Sequence, residues 1–318
     1  MNNFYWLVKR EFWEHRGGFL WAPVIVSGIF VAINLLAIIA GEVFSSRMGI
    51  NINGQNINMM IQQLQQKGVS VGPVLDLSMY SAASIAGVVL IFVVFFYCLG
   101  ALYDDRRDRS ILLWKSLPLT DRNVVLSKLF SAAVVAPVIA VIVGIITAVV
   151  MLLMAVITAS FHGANAWPLL VQANPFRVAG TLLALIPVNF VWALPTLGWL
   201  LLCSSWARSK PFLWAAATPV LAGVLISWLA VLGTPGLSGM WFWDNVVKRL
   251  LLGVAPMGWL GNSADIFQHV NKPQDLIDTL TVGHAWAQMA HAEFWAGAIA
   301  GVAMIAAAIW MRRKRSEV

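Results

Sequence analysis

Six apolar runs, each long enough to cross a bilayer, leave this chain few ways to fold. A helix covers the hydrocarbon core, about 30 Å thick, with about 20 residues, and the runs lie at 18–41, 82–103, 129–158, 178–206, 212–233 and 292–311. Inside such a segment the backbone must satisfy its own polar groups, which selects helices over open sheets. The expected fold is therefore an all-α polytopic membrane protein, one transmembrane domain covering residues 1–318. Composition agrees, since only 11% of the residues are charged and 60% are hydrophobic, against about 25% charged in soluble proteins. The first run starts after Arg16 and extends to residue 41, too long for a signal-peptide core of about 7–15 residues, so it is expected to remain as an anchor. Pro23 lies near the start of that run, where a missing N–H is cheap. Pro187 and Pro195 instead sit within the fourth and predict a kinked or broken helix.

Direction follows from the basic residues. If the N-terminus faces the cytoplasm, 15 lysines and arginines fall in inner segments and 6 in outer ones, although the outer segments are longer. The positive-inside rule then places both termini in the cytoplasm, as expected for a multi-pass membrane protein. The same bias accounts for the net charge of +7 with the lipid bilayer, not nucleic acid, as the partner surface.

The runs carry no central Asp, Glu, Lys, Arg or His. Carriers driven by an ion gradient usually hold such groups in their spans, which disfavours an ion-coupled secondary transporter acting alone. The deepest polar groups are Asn34, Thr147, Asn189, Thr196, Thr218 and Ser227, expected to bond between helices. Asn34, Asn189 and Thr196 are the candidates to line a substrate path, Asn189 foremost because prolines flank it. A membrane-embedded enzyme or immunity protein would have to use His269, His284 and His291 of the last outer loop, but no HExxH or GxSxG accompanies them. No catalytic or metal-binding residue is therefore expected, and Cys98 and Cys203 lie inside apolar runs. Within the same loop LLLGVAPMGWLG (250–261) is too short to span. It is expected to be re-entrant or interfacial, with Trp241, Trp243, Trp259 and Trp286 at headgroup level. The chain lacks GxxxxGK[ST], so it cannot cradle nucleotide phosphates through a P-loop.

Two segments on the inner side remain. In FYWLVKREFWEHR, Phe4, Val8 and Phe12 repeat every four residues, with Glu11 and Glu14 among the polar positions. That pattern predicts a helix over 1–17 lying flat at the interface. The loop 104–128 opens with alternating aspartates and arginines, a nearly neutral cluster that favours local ion pairs or a protein contact over anionic lipid. SILLWKSL (110–117) follows, two helical turns stopped by Pro118. So short an apolar helix is unstable alone in water and must pack on something. Thr120 then caps the next helix, with Asp121 in its first turn.

These segments, LVKREFWEHR (7–16) and DRRDRSILLWKSLPLTDRNVVLSKL (105–129), resemble the permease subunits of ABC-2 type ATP-binding cassette transporters. The resemblance implies a dimer, formed with a second copy or a close paralogue, that binds two copies of a cytoplasmic ATPase. ATP and Mg²⁺ would be held by that ATPase, and this chain would hold no cofactor. Residues 110–117 would be the coupling helix, with Arg109, Ser110, Ile111, Trp114, Ser116, Leu117 and Pro118 at the docking site. Residues 105–109 would lie near the ATPase rim, and 1–17 would form the interfacial connecting helix. Export is the more common activity of such permeases.

Overall fold

The computed structural model describes residues 3–48, 59, 63, 66, 70–108, 119–164, 167–233, 238–262 and 273–314. Every regular element among them is helical. Six helical stretches are long and apolar enough to span a membrane, Gly17–Arg47, Val71–Arg107, Asp121–Phe161, Leu170–Trp206, Pro211–Val231 and Ala292–Lys314. Each contains or closely overlaps one expected run.

An N-terminal helix, α1 (Asn3–Glu14), precedes the first span, whose body is α2 (Ala22–Arg47). The second span, α3 (Val71–Ala101), ends in a short helix, α4 (Tyr103–Arg107). The third runs from α5 (Asp121–Phe130) through a π-turn into α6 (Ala136–Phe161). The fourth is split into α7 (Pro175–Ala184) and α8 (Ile186–Trp206), and α9 (Pro211–Val231) is the fifth. A helical turn, α10 (Lys248–Leu252), belongs to the last connection, and α11 (Ala292–Lys314) closes the chain.

The expected break in the fourth span falls at Leu185, just before Pro187 in the first turn of α8. A proline there loses no bond the helix needs. Pro195, by contrast, stays inside α8. The second span departs from expectation by starting at Val71 rather than 82. Pro73 sits in the first turn, where its missing N–H costs nothing, and Leu75 and Met79 continue the apolar surface. The extension brings Asp76 into the helix, fully buried. It pairs with Arg177 of α7 and accepts a hydrogen bond from the Asn174 amide at 2.9 Å.

Two packed pairs form the centre of the bundle, α3 with α6 and α8 with α11. α6 crosses α3 antiparallel, and Gly144 of α6 leaves no room for a side chain against the Ala83 backbone. α8 and α11 run parallel with Gly198 facing Gly301, backbone on backbone. Small residues at such crossings let helices approach closely where lipid gives little hydrophobic drive. Val94, Cys98, Ala136, Leu197 and Leu200 fill the space between the pairs. α2 and α9 are peripheral, with Ile25, Ile29, Leu36, Leu221, Leu225 and Trp228 exposed.

Most of the deep polar residues do not bond between helices, contrary to expectation. Asn34, Thr147 and Thr218 donate to carbonyls four residues back in their own helices, the local alternative always open to short polar side chains. Thr196 and Ser227 do reach other segments. Thr196 Oγ1 donates to the Arg249 carbonyl at 2.5 Å, and Ser227 Oγ accepts from Trp243 Nε1 at 3.0 Å.

The segment 239–262 thus packs into the bundle. Thr196 lies halfway along α8, and Pro256 occupies the space that a side chain at Gly87, halfway along α3, would need. Trp259 is only 1% exposed, packed with Trp192 and Phe294. Trp259, expected at the headgroup level, is thus covered by protein side chains rather than exposed on the outer surface of the bundle. Trp241 and Trp286 are exposed.

Candidate functional site

The C-termini of α3, α8 and α11 gather with α1, α4 and α5 at one end of the bundle, here the basic end. A chain of charges, buried at Glu11, Lys128 and Arg312 and partly buried at Asp105 and Asp121, ties them together. Glu11 of α1 is 2% exposed; it accepts a hydrogen bond from the Tyr97 hydroxyl of α3 at 2.8 Å. Lys128 of α5, 4% exposed, lies 3.1 Å from Glu11 and 3.6 Å from Asp105 of α4. Asp105 also pairs with Arg312 of α11 at 2.9 Å, and Arg312 reaches Asp121 of α5 at 3.2 Å. Three acids and two bases from four helices thus offset one another. Each buried charge would be costly alone, and the alternation of sign makes the set tolerable.

Local sequence explains how each residue arrives. The inward stripe of α1 is Phe4, Leu7, Val8, Glu11 and Phe12, with Leu7 and Glu11 buried and the other three half-buried, so the imperfect amphipathicity of this helix has Glu11 on the apolar side. Phe4 meets Phe130 edge-on, and Leu7 packs on Val124, while Trp6, Trp13 and Glu14 face outward. α1 therefore leans on α5 as well as exposing an aromatic face. The expected N-cap is present, with Thr120 Oγ1 accepting from the Asn123 amide at 3.3 Å. It fixes Asp121 in the first turn, within reach of Arg312.

A second set of bonds locks α4 in place. Ser204 Oγ of α8 accepts from the amides of Leu102 and Tyr103 and donates to the Leu99 carbonyl at 2.7 Å. Arg106 donates to the carbonyls of Ser204 and Ala207, where the negative end of the α8 dipole favours a cation. Asp104, Arg107 and Asp108 remain exposed and pair among themselves. The expectation of local ion pairs holds for these three, and Asp105, expected near the ATPase rim, pairs with Lys128 and Arg312.

The arrangement has a mechanical property. Asp105 and Asp121 flank residues 109–118, and Arg312 grips both. The residues expected to dock an ATPase, Arg109, Ser110, Ile111, Trp114, Ser116, Leu117 and Pro118, lie outside the described residues. Their two attachment points do not, and both are fastened to the last spanning helix.

The other candidates are scattered. Asn34 bonds its own helix on peripheral α2. Asn189 lines a small cavity of about 50 Å³ between α6, α8 and Pro256, and its Oδ1 is buried without a partner. Thr196 holds the 239–262 segment. The structure thus brings Asn189 and Thr196 near one element and leaves Asn34 apart. His284 packs near Trp259, and His291 lies beyond the following turn; His269 lies outside the described residues. Among the described residues no three of His, Cys, Asp and Glu gather as metal ligands.

The model of a family described as "ABC-2 family transporter protein" matches residues 73–191. Over that stretch the chain is similar to ABC-2 family transporter proteins. The matched stretch runs from α3 into α8 and contains Tyr97, Asp105, Asp121 and Lys128. Glu11 and Arg312, which complete the charge chain, come from outside it. No curated protein and no solved structure matches the chain.

Proposed function

We propose that the chain is the membrane-spanning permease subunit of an ATP-driven exporter, working as a dimer and energised by a separate ATPase that docks on the loop 104–128. The similarity of residues 73–191 to the ABC-2 family model supports a transport role, and the absence of a P-loop from the sequence calls for a partner to supply ATP hydrolysis. The basic end would face the cytoplasm, with α1 at its interface, and the segment 239–262 would be re-entrant from the opposite side. The observation that carries the reading is the double grip of Arg312 on Asp105 and Asp121. A push on residues 109–118 would reach flanking residues Asp105 and Asp121, which are both bonded to α11, and Asp105 also, through Lys128, to α1. It would be passed to α3, α5 and α11 together, tilting the bundle toward alternating access.

The double variant Trp114→Ala/Leu117→Asp tests this reading. Removing the apolar anchor of the docking helix should abolish co-purification of an untagged ATPase with the tagged permease. Nucleotide-dependent transport in vesicles should fall with it, while the yield of folded permease stays unchanged. Full retention of both the partner and transport would overturn the docking assignment.

A further inference from the structure

We propose that Arg249 and Trp192 form a binding site for an amphipathic anion, a phosphate or carboxylate headgroup carrying an apolar tail. The site lies at the end of the bundle opposite the charge chain, and its existence does not depend on an ATPase.

Arg249 is 8% exposed. Its guanidinium stacks on the Trp192 ring at 4.1 Å and presses on Gly297 of α11, where any side chain would collide with it. Nη1 and Nη2 donate to the carbonyls of Glu293 and Phe294 at 2.7 and 2.8 Å. Nε is buried and has no hydrogen-bond partner. Burial lowers its pKa from the usual arginine value, with the charge of Glu293 opposing that shift. Among the described residues no carboxylate forms an ion pair with Arg249, and neighbouring Asp244 is taken by Lys248 at 2.9 Å. A buried cation without a counter-charge is unfavourable, and guanidinium is the side chain best shaped to receive a phosphate or carboxylate.

The space beside it is built to admit the rest of such a molecule. A cavity of about 330 Å³ opens between Trp192, Leu252, Gly253, Met257, Gly258 and Leu260, with Arg249 in its wall and Lys248 beside it. Gly258 brings the backbone against the Trp192 indole with no Cβ between them. The wall is mostly apolar, and its charged residues are Arg249 and the mutually paired Lys248 and Asp244, a net charge of one positive, a combination suited to an anionic amphiphile and poorly suited to a free inorganic ion. Lys248 has a half-exposed side chain, placed to attract the headgroup before Arg249 receives it.

The test uses the full chain in phosphatidylcholine nanodiscs, with dodecyl phosphate as probe and dodecanol and inorganic phosphate as controls. Dodecyl phosphate should raise the thermal midpoint, whereas the two controls should not. Arg249→Gln should weaken the probe about tenfold or more, as expected for loss of a buried charge contact. Where Arg249→Gln does not fold, Lys248→Glu carries the test, since its side chain is half exposed and it should also weaken binding about tenfold. Nanodiscs of phosphatidylglycerol distinguish the source of the anion. Stabilisation by that lipid assigns a bilayer headgroup, and stabilisation by dodecyl phosphate alone assigns a free amphiphile. Equal effects of dodecyl phosphate and dodecanol, a matching effect of inorganic phosphate, or unchanged affinity in the folded variants would overturn the proposal.

Discussion

Lys128→Met is expected to destabilise the protein by about 3–5 kcal/mol, the usual cost of removing one partner from a buried ion pair. Methionine fills the space of the lysine stem, so the loss is of charge rather than of volume. Glu11 would keep the Tyr97 hydroxyl as its hydrogen-bond donor, and Asp105 would keep Arg312. Neither contact replaces the ammonium group that separates the two carboxylates. Adding Glu11→Gln should recover part of the loss, because a neutral amide does not need the lysine. The coupling between the two sites is then read from a double-mutant cycle. Arg122→Met, on an exposed face of the same helix, should change stability by less than about 0.5 kcal/mol. Thermal unfolding in detergent compares the parent with Lys128→Met, Glu11→Gln, their double variant and Arg122→Met. A loss below about 1 kcal/mol for Lys128→Met, or no recovery with Glu11→Gln, would show that the cluster is hydrated and weakly coupled.

The charge chain also marks where reading the sequence stops. Spans are legible because hydrophobic length is a local property, and so are the break before Pro187 and the cap at Thr120. The pairs Glu11–Tyr97 and Asp105–Arg312 join residues 86 and 207 positions apart. No periodicity within one segment encodes such a pairing. The available signal was indirect, an acid on the apolar side of an imperfectly amphipathic helix and acids mixed into a positive-inside loop. Asp76 enters the second span because α3 begins earlier than its apolar run. Arg249 reaches the bundle from a connecting segment that folds inward. Whether a loop returns between helices depends on glycines at the receiving surface, here Gly87 and Gly297, whose role is visible only when both partners are placed.

Gly301→Ala is expected to destabilise the protein, against the direction that helix propensity alone dictates. Replacing glycine by alanine inside a helix normally favours the helix by about 0.8–1.0 kcal/mol. Gly28 of α2, where an added Cβ would meet nothing within 4 Å, should show that benefit or no change. At Gly301 a Cβ would lie 2.5 Å from the Leu194 carbonyl carbon and 2.7 Å from the Pro195 nitrogen. These are backbone atoms, so no side chain can rotate away, and α11 must separate from α8. Overpacking of this kind costs about 1–3 kcal/mol or more, enough to exceed the propensity gain. The displacement has a second consequence. Arg312 lies eleven residues further along the same helix, about 16 Å at 1.5 Å per residue, and its grip on Asp105 and Asp121 requires α11 to stay seated. Gly301→Ala should therefore lower both the thermal midpoint and nucleotide-dependent transport, while Gly28→Ala leaves transport intact. A Gly301→Ala protein as stable and as active as the parent would mean that the α8–α11 contact yields without disturbing the charge chain, and the rigid link from loop to bundle would then have to be abandoned.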